Sequence, residues 1–281
     1  MLFGIAYRML GSAADAEDIL QDAWLSWSRV DTAGVAEPRA YLARTVTNLS
    51  LNRLASAAVQ RESYVGTWLP EPLVTAPDAG TGAAGGVERA EDVSLALLVV
   101  LESLSPLERA VFVLKEAFGF AYAEIAGMLD RTEVAVRQVG SRARAHVQAG
   151  RPRYEAPPEV RRKVTDEFLA ACVGGDLNRM MEMLAPDVTM WADGGGKIRA
   201  ALRPLVGADK SARWILGILL NRPIPDMGVH RVDVNGQPGL MVTSGASTDS
   251  VMVLEVDETG ITAIRLIRNP DKLGHITVPK A

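Results

Sequence analysis

The sequence predicts a multi-domain protein in which two all-α domains precede a C-terminal α+β domain. The chain has 281 residues, more than one domain usually holds. Helical periodicity fills the first 150 residues and is interrupted by a stretch at 75–86 that is rich in Pro, Gly, Ala and Thr. After a second break at 151–158, helical patterns give way to strand patterns.

Composition excludes several classes of protein. Half of the residues are hydrophobic and the formal net charge is −4, as in a packed soluble protein. The single cysteine, Cys172, excludes an intrachain disulfide, and its apolar helical context predicts a buried, unreactive thiol. The three histidines lack metal-ligand spacing, so neither a metal nor a cofactor is expected. Without a signal peptide or a membrane-length apolar run, we expect a cytoplasmic protein with no membrane partner.

The N-terminal 60 residues predict helices with clear start signals. Ser12 can cap a helix over 12–29, and Asp15 lies in its first turn, where the helix dipole favours an acid. The buried stripe of this helix is predicted at Ile19, Ala23 and Trp27. Another helix follows Pro38, with its apolar stripe at Leu42, Val46, Leu49 and Leu54.

A linker is predicted next, and helices resume near Glu91. The sequence Trp68-Leu69-Pro70-Glu71-Pro72 breaks any helix and favours a stiff, extended strip. Further on, Ser105-Pro106-Leu107-Glu108 is a capping box with proline at the first helical position.

The segment Ala121–Arg144 predicts a helix-turn-helix. Asp130-Arg131 supplies the turn and Thr132 the N-cap of the second helix. On that helix Val134, Val136 and Val139 are predicted to face inward, and the outward side chains are Arg137, Ser141, Arg142 and Arg144. Six arginines against one acid between 131 and 153 form the kind of basic patch that binds phosphates.

The last third predicts three helices and then a meander of strands. The helices are expected at 159–173, 177–184 and 208–220, and Gly174-Gly175 ends the first of them. From Val229 onward, four strand patterns alternate with turns rich in Gly, Asn, Pro or Asp.

The first 150 residues resemble bacterial RNA polymerase sigma factors of the extracytoplasmic-function group. Residues 3–27 look like the polymerase-binding helices of sigma domain 2, residues 38–54 like the helix that reads and melts the −10 element, and residues 101–147 like the −35 reader, sigma domain 4. The resemblance implies domain 2 at 1–64, a flexible linker at 65–90 and domain 4 at 91–153. Family members usually have residues upstream of the position of Met1.

The resemblance also implies partners and site residues. Domain 2 is expected to bind the clamp of core RNA polymerase through Asp18, Gln21, Asp22 and Trp24. The −10 strand is expected at Arg44, Asn48 and Arg53; for Asn48 the alternative is a helix-face amide bonded to water. At the −35 element, base contacts are expected from Thr132, Glu133, Val136 and Arg137, and phosphate contacts from Ser141, Arg142 and Arg144.

Residues 159–281 resemble the SnoaL-like, nuclear-transport-factor-2-like cone fold that a subgroup of these sigma factors carries. Three motifs mark the subgroup: Trp68-Leu69-Pro70-Glu71-Pro72, Asp193-Gly194-Gly195-Gly196-Lys197 and Asn269-Pro270-Asp271-Lys272-Leu273. The resemblance implies that this domain contacts the linker and the core domains, tunes activity in cis and replaces a separate anti-sigma protein. The simpler alternative is that the glycines form a hairpin turn and the proline strip is only a linker.

A second hypothesis makes the cone domain primary, as an enzyme or small-molecule sensor with an attached DNA-binding module. Asp193 or Asp187 is then the candidate general base and His230 a candidate partner. The candidate lining of a ligand cavity is Trp191, Met190, Met181 and Trp214. Because the sequence offers no second acid or oxyanion pair, we expect no enzyme activity, and a small ligand in the cone stays an open possibility.

Overall fold

The computed structural model describes residues 1–31, 34–75, 93–150, 156–221 and 224–276, without the side chains of 57–62. The chain forms two compact units. The helical unit comprises Met1–Ser63 and Glu91–Arg151, and the cone unit comprises Tyr64–Ala90 and Pro152–Ala281.

Three helices open the helical unit: α1 (Leu2–Leu10), α2 (Ala13–Trp27) and α3 (Pro38–Glu62). The predicted cap is confirmed, since the Ser12 hydroxyl accepts a hydrogen bond from the Asp15 amide at 3.1 Å. The three helices pack on one another, and their shared core is apolar: Ile5, Met9, Ile19, Ala23, Val46 and Leu54 are buried.

The helical unit continues with α4 (Leu95–Glu102), α5 (Pro106–Phe112), a π-helical turn (Val113–Ala117), α6 (Tyr122–Leu129) and α7 (Glu133–Gly150). The predicted capping box at Ser105 and Glu108 is present, and the hydrogen bond from Ser105 lowers the pKa of the Glu108 carboxyl. The predicted helix-turn-helix is α6 and α7, with Asp130 in the left-handed conformation (φ 52°) at the turn.

One inward prediction on α7 is wrong. Val136 and Val139 are buried, but Val134 is 67% exposed. At about 100° of rotation per residue, Val134 lies roughly 160° around the helix from Val136. The buried stripe of α7 instead continues from Val139 through Ala143 and Val147.

Helices from both predicted α-domains pack into the one helical unit. Helix α3 lies against α5 and α6, and α1 contacts α4, α5 and the π-helical turn. The guanidinium of Arg109 on α5 is buried, where it donates to the Met9 carbonyl at 2.7 Å and to Glu102 at 3.0 Å.

The cone unit holds α8 (Pro158–Gly174), α9 (Leu177–Met183), α10 (Ala208–Asn221), α11 (Pro270–Leu273) and a seven-stranded sheet. Its strands are β1 (Val74–Thr75), β2 (Leu184–Asp193), β3 (Leu205–Val206), β4 (Met227–Val234), β5 (Gln237–Ser244), β6 (Ser247–Asp257) and β7 (Gly260–Ile267). The order is β1-β4-β5-β6-β7-β2-β3, antiparallel except for the β2–β7 pair. The predicted three helices and four-strand meander are confirmed.

Strand β2 was not predicted. It begins Leu184-Ala185-Pro186-Asp187, and its register with β7 shifts between Leu184 and Thr189, so its first half shows no clean alternation. Its second half places Met190 and Ala192 in the core with Phe168 and Met180. Because β2 ends at Asp193, this strand fixes the position of the second sequence motif.

Residues 65–75 differ from the flexible linker that the sequence predicts. They belong to the cone unit, where Val74 and Thr75 pair with Val234 and Asp233 of β4. Leu69, Pro70, Glu71 and Pro72 are buried. The proline strip is therefore buried in the cone unit. The rest of the predicted linker, 76–90, lies outside the described residues.

Candidate nucleic-acid interface and linker cluster

The exposed face of α7 carries most of the predicted −35 residues. Glu133, Arg137, Ser141 and Arg144 fall within about 80° of one another around the helix axis. Thr132 precedes them and caps the helix, since its hydroxyl accepts a hydrogen bond from the Ala135 amide at 3.3 Å. These side chains form one surface, called the recognition face below, that can face a major groove.

Two predicted −35 residues lie elsewhere. Val136 is 1% exposed, so the expected base contact by its side chain is wrong, because Val136 belongs to the buried stripe of α7. Arg142 lies about 100° around the helix from Ser141, and its guanidinium is 3.9 Å from Glu108 on α5. It is exposed on a different face from Arg137 and Arg144.

Carboxylates and a tyrosine hold the two arginines of the recognition face. Arg137 donates to Glu133 at 2.9 Å, and its guanidinium lies 5.0 Å from the ring centroid of Tyr122. Arg144 donates to Glu116 at 3.1 Å and to the Tyr122 hydroxyl at 2.9 Å. The nearby Glu116 carboxylate raises the pKa of Arg144. Sequence reasoning missed Glu116 and Tyr122, since both come from outside α7.

The predicted −10 residues lie along α3. Arg44 is exposed. The Asn48 amide, half-buried, lies 3.5 Å from the Met128 carbonyl of α6, a partner that neither sequence interpretation named. Arg53 donates to Asp15 on α2 at 3.0 Å, and this hydrogen bond raises the pKa of Arg53. In this structure Asn48 and Arg53 therefore have protein partners where the sequence suggests nucleic acid.

The predicted clamp-binding side chains on α2 are all exposed: Asp18, Gln21, Asp22 and Trp24. Trp24 is 67% exposed, and Leu25, which sequence reasoning missed, is 53% exposed. Exposed large apolar side chains flanked by acids are typical of a protein interaction surface.

The second notable site is the linker cluster, defined as Tyr64, Trp68, Leu69, Asp193, Asn269 and Lys272 with their direct hydrogen-bond partners. Asp193 is fully buried at the end of β2. Its carboxylate accepts hydrogen bonds from the Tyr64 hydroxyl, the Leu69 amide (2.9 Å), the Gly195 amide (3.0 Å) and the Lys272 ammonium (2.7 Å). One carboxylate thus joins all three sequence motifs.

Lys272 and Asn269 complete the linker cluster. The Lys272 ammonium also donates to the Leu69 carbonyl and lies 4.1 Å from the ring centroid of Trp68. The Asn269 amide donates to the Tyr64 hydroxyl at 2.9 Å. Burial, followed by the hydrogen bond to Asp193, raises the pKa of Tyr64, so this hydroxyl stays protonated and donates.

The three glycines allow the close approach. Gly195 has φ +61°, and a Cβ there would lie 2.5 Å from the Asn269 side chain. A Cβ on Gly194 would lie 2.1 Å from the Ile198 carbonyl oxygen. Lys197, at the end of the same motif, forms an exposed 2.7 Å ion pair with Asp271. Gly195 therefore allows close packing against the third motif, and Gly194 allows the tight turn.

Further contacts fix the remainder of the proline strip. His275 lies 3.0 Å from the Glu71 carboxylate, and its other ring nitrogen lies 3.2 Å from the Pro72 carbonyl. The Leu73 amide donates to the Asn235 side chain at 3.1 Å, and the Asn235 amide donates to the Leu73 carbonyl at 2.8 Å. Tyr64, His275 and Asn235 stand outside the three motifs, so no sequence pattern indicated their contacts.

The candidate catalytic residues of the alternative hypothesis each lie in a different environment. Asp193 is engaged by four donors, Asp187 is exposed, and His230 lies 3.3 Å from the Thr243 hydroxyl. The cone unit does contain a partly open cavity, and of the expected lining residues it includes Trp214 but not Met181, Met190 or Trp191. The carboxylate that lines this cavity is Asp249, which sequence reasoning missed.

Two segments of the chain match models of known protein families. Residues 1–59 match the family model for sigma-70 region 2, and residues 94–147 match the model for sigma-70 region 4. The two matched ranges contain α1–α3 and the helix-turn-helix. The two matches indicate a sigma factor of the sigma-70 class.

Relatives over the full length define the family. The chain is 41% identical to the ECF RNA polymerase sigma factor SigJ of Mycobacterium tuberculosis, over 96% of this chain and 89% of that protein. It is 30% identical to the probable ECF RNA polymerase sigma factor SigI of the same species, over 97% and 91% of the two chains. The crystal structure of SigJ superposes with a TM-score of 0.77 at 37% identity, covering 96% of this chain and 94% of that one. The chain belongs to the extracytoplasmic-function RNA polymerase sigma factors, with a SnoaL-like C-terminal domain.

Across the described residues, no helix combines the length and the apolar character needed to cross a membrane.

Proposed function

We propose that this sigma factor reads promoters with α7 and α3, docks on core RNA polymerase through α2, and is regulated in cis by its cone unit. The observation that carries the regulatory part is the linker cluster. Residues 64–75 connect α3 to the −35 module along the chain, and Asp193 and Lys272 bind them to the cone unit. The cone unit thus holds the connection between the two DNA-reading modules.

The recognition face supports −35 binding. Arg137 can exchange its bond to Glu133 for a bidentate contact to guanine, and the released Glu133 can accept from a cytosine amine. Arg144 and Ser141, further along the same face, suit phosphates, which position the helix without specifying sequence. Arg142, which lies on another side of α7, can contact a phosphate outside the recognition face.

The packing of α3 on α6 supports a closed state of the helical unit. By their names the −35 and −10 elements lie about 25 base pairs apart, or about 85 Å along B-DNA. Helices in contact with each other cannot reach both elements. We propose that α3 leaves α6 when α2 docks on the polymerase clamp, which also frees Asn48 from Met128.

This arrangement gives the cone unit the role that a separate anti-sigma protein has elsewhere. The protein acts in the cytoplasm, where RNA polymerase works. We propose no catalytic activity for the cone unit, because four donors engage Asp193, Asp187 is exposed and His230 lies beside the Thr243 hydroxyl.

The test is promoter-dependent run-off transcription with core RNA polymerase. Tyr64→Phe removes the hydroxyl that bonds Asp193 and Asn269 but keeps the ring. The double variant Asp193→Asn, Lys272→Met removes both charges at similar volume. Because each change loosens the hold on residues 64–75, we expect transcript yield to rise at subsaturating polymerase.

Lys163→Met is the matched control, since Lys163 is an exposed lysine of α8 outside the linker cluster. It should leave the yield unchanged. If both cluster variants fold as the wild type does and give wild-type yield, regulation through the linker cluster is wrong, and the promoter-reading role stands independently.

A further inference from the structure

The cone unit contains an apolar cavity of about 220 Å³ that is partly open to solvent. Its walls come from α8, α10 and strands β4 to β7, and they include Leu169, Trp214, Ile218, Val229, Val242 and Met252. A cavity of 150 Å³ in an apolar core is enough to bind benzene. This volume therefore suits a molecule of about ten non-hydrogen atoms.

The cavity has one polar end. There the Arg268 guanidinium donates to both carboxylate oxygens of Asp249, at 3.0 and 3.2 Å, and to the Arg199 carbonyl at 3.2 Å. The Arg268 and Asp249 side chains are 7% and 17% exposed. Ser250, which is buried, also lines the cavity. Apolar walls with a few convergent polar groups are the usual composition of a small-molecule site.

The charges at the polar end select against an ionised ligand. Arg268 alone would attract an anion, but Asp249 neutralises it and presents a carboxylate to the same space. The remaining lining group with a titratable proton is Cys172, whose thiol stays neutral because burial raises its pKa to about 12. A hydroxyl or carbonyl can instead bond to Asp249, Arg268 or Ser250 without bringing in a charge.

We infer that this cavity binds a small uncharged molecule with an apolar body and one hydroxyl or carbonyl group. The site is additional to the regulatory role proposed above. It also has a direct connection to the linker cluster: the Arg268 amide donates to the Asp193 carbonyl at 2.7 Å, and the next residue is Asn269. A ligand that moves Arg268 therefore acts on the backbone that positions the linker cluster.

The test uses two probes of equal chain length, 1-octanol and octanoate, which is ionised at neutral pH. Isothermal titration of the full chain at pH 7.5 should show binding of 1-octanol, and octanoate should bind roughly tenfold or more weakly.

Two variants separate this site from adventitious binding. Val242→Phe fills the cavity and should abolish octanol binding. Val160→Phe is its control, at a 42% exposed position of α8 that does not line the cavity, and should bind like the wild type. Asp249→Asn leaves Arg268 without its counter-charge, so the preference should move toward octanoate by about tenfold or more.

Three results would overturn the inference. The first is no octanol binding by the folded wild type, and the second is equal affinity for octanol and octanoate. The third is octanol binding that Val242→Phe leaves intact, which would place the probe elsewhere. None of these affects the run-off result for the linker cluster, so the two proposals fail separately.

Discussion

Among single residues, Lys272 and Asp193 form the central contact of the linker cluster. Their side chains are 11% and 0% exposed, and each satisfies the other's charge. The sequence places both in motifs, and on that basis they could be named as candidates. Tyr64 could not, because it lies outside every motif and joins the linker cluster only once β2 brings Asp193 beside it.

Removing one charge of this pair should cost more than removing both. Lys272→Met leaves a buried carboxylate without its cation, so the free energy of unfolding should fall by about 3–5 kcal/mol. Adding Asp193→Asn should recover part of the loss, because no unpaired charge then stays buried, although one amide oxygen replaces two carboxylate acceptors. Urea unfolding of both variants measures this difference.

Lys163→Met again serves as the control, and its surface position predicts a change within about 0.5 kcal/mol. If the double variant were as unstable as Lys272→Met alone, the pair would not be coupled and the central contact of the linker cluster would lie elsewhere.

The elements show where periodicity predicts structure and where it does not. Helix α7 was predictable because its cap, turn and apolar stripe are local. Which side of α7 is buried was harder to predict. Val134 is exposed and Val136 is buried, and an apolar pattern alone does not show which of the two faces inward. Strand β2 was missed because Pro186 and a bulge disturb its alternation, and its parallel partner β7 lies far along the chain.

The recognition face of α7 yields the prediction at this scale. Arg137→Ala should weaken binding to the preferred −35 sequence by about 1–3 kcal/mol and reduce discrimination at one base pair, because a bidentate guanine contact is lost. The measurement is run-off transcription on promoters that carry each single substitution in the −35 element.

Arg142→Ala is the matched control for this prediction, since Arg142 lies on another face of the same helix. It should reduce activity on all promoters about equally. Equal loss across promoters for Arg137→Ala as well would show that Arg137 contacts phosphate and does not read a base.

The whole molecule departs from the sequence prediction in how its segments associate. Composition marks residues 65–90 as a linker, but the first part of it is bound by buried polar groups that lie more than a hundred residues away. Helical periodicity likewise predicts two α-domains, but it does not predict whether they pack against each other. Two helix surfaces that can each be exposed to solvent have no hydrophobic pattern that would predict their contact. The contact between α3 and α6 is therefore known only from the structure.

The closed helical unit predicts that holding α3 beside the −35 module blocks transcription. Arg39 at the start of α3 lies near the −35 module, with its guanidinium 3.5 Å from the Phe118 carbonyl and 5.1 Å from the Phe120 ring centroid. In a Cys172→Ser background, Arg39→Cys and Phe118→Cys can be joined by a short bismaleimide that contains a disulfide. The joined protein should lose run-off transcription, because α3 then cannot move away from the −35 module by the roughly 85 Å between the promoter elements.

Dithiothreitol cleaves the bridge and should restore activity, which makes each sample its own control. Full activity while the bridge is intact would show that the two modules read DNA without separating, and the closed state would then have no part in regulation.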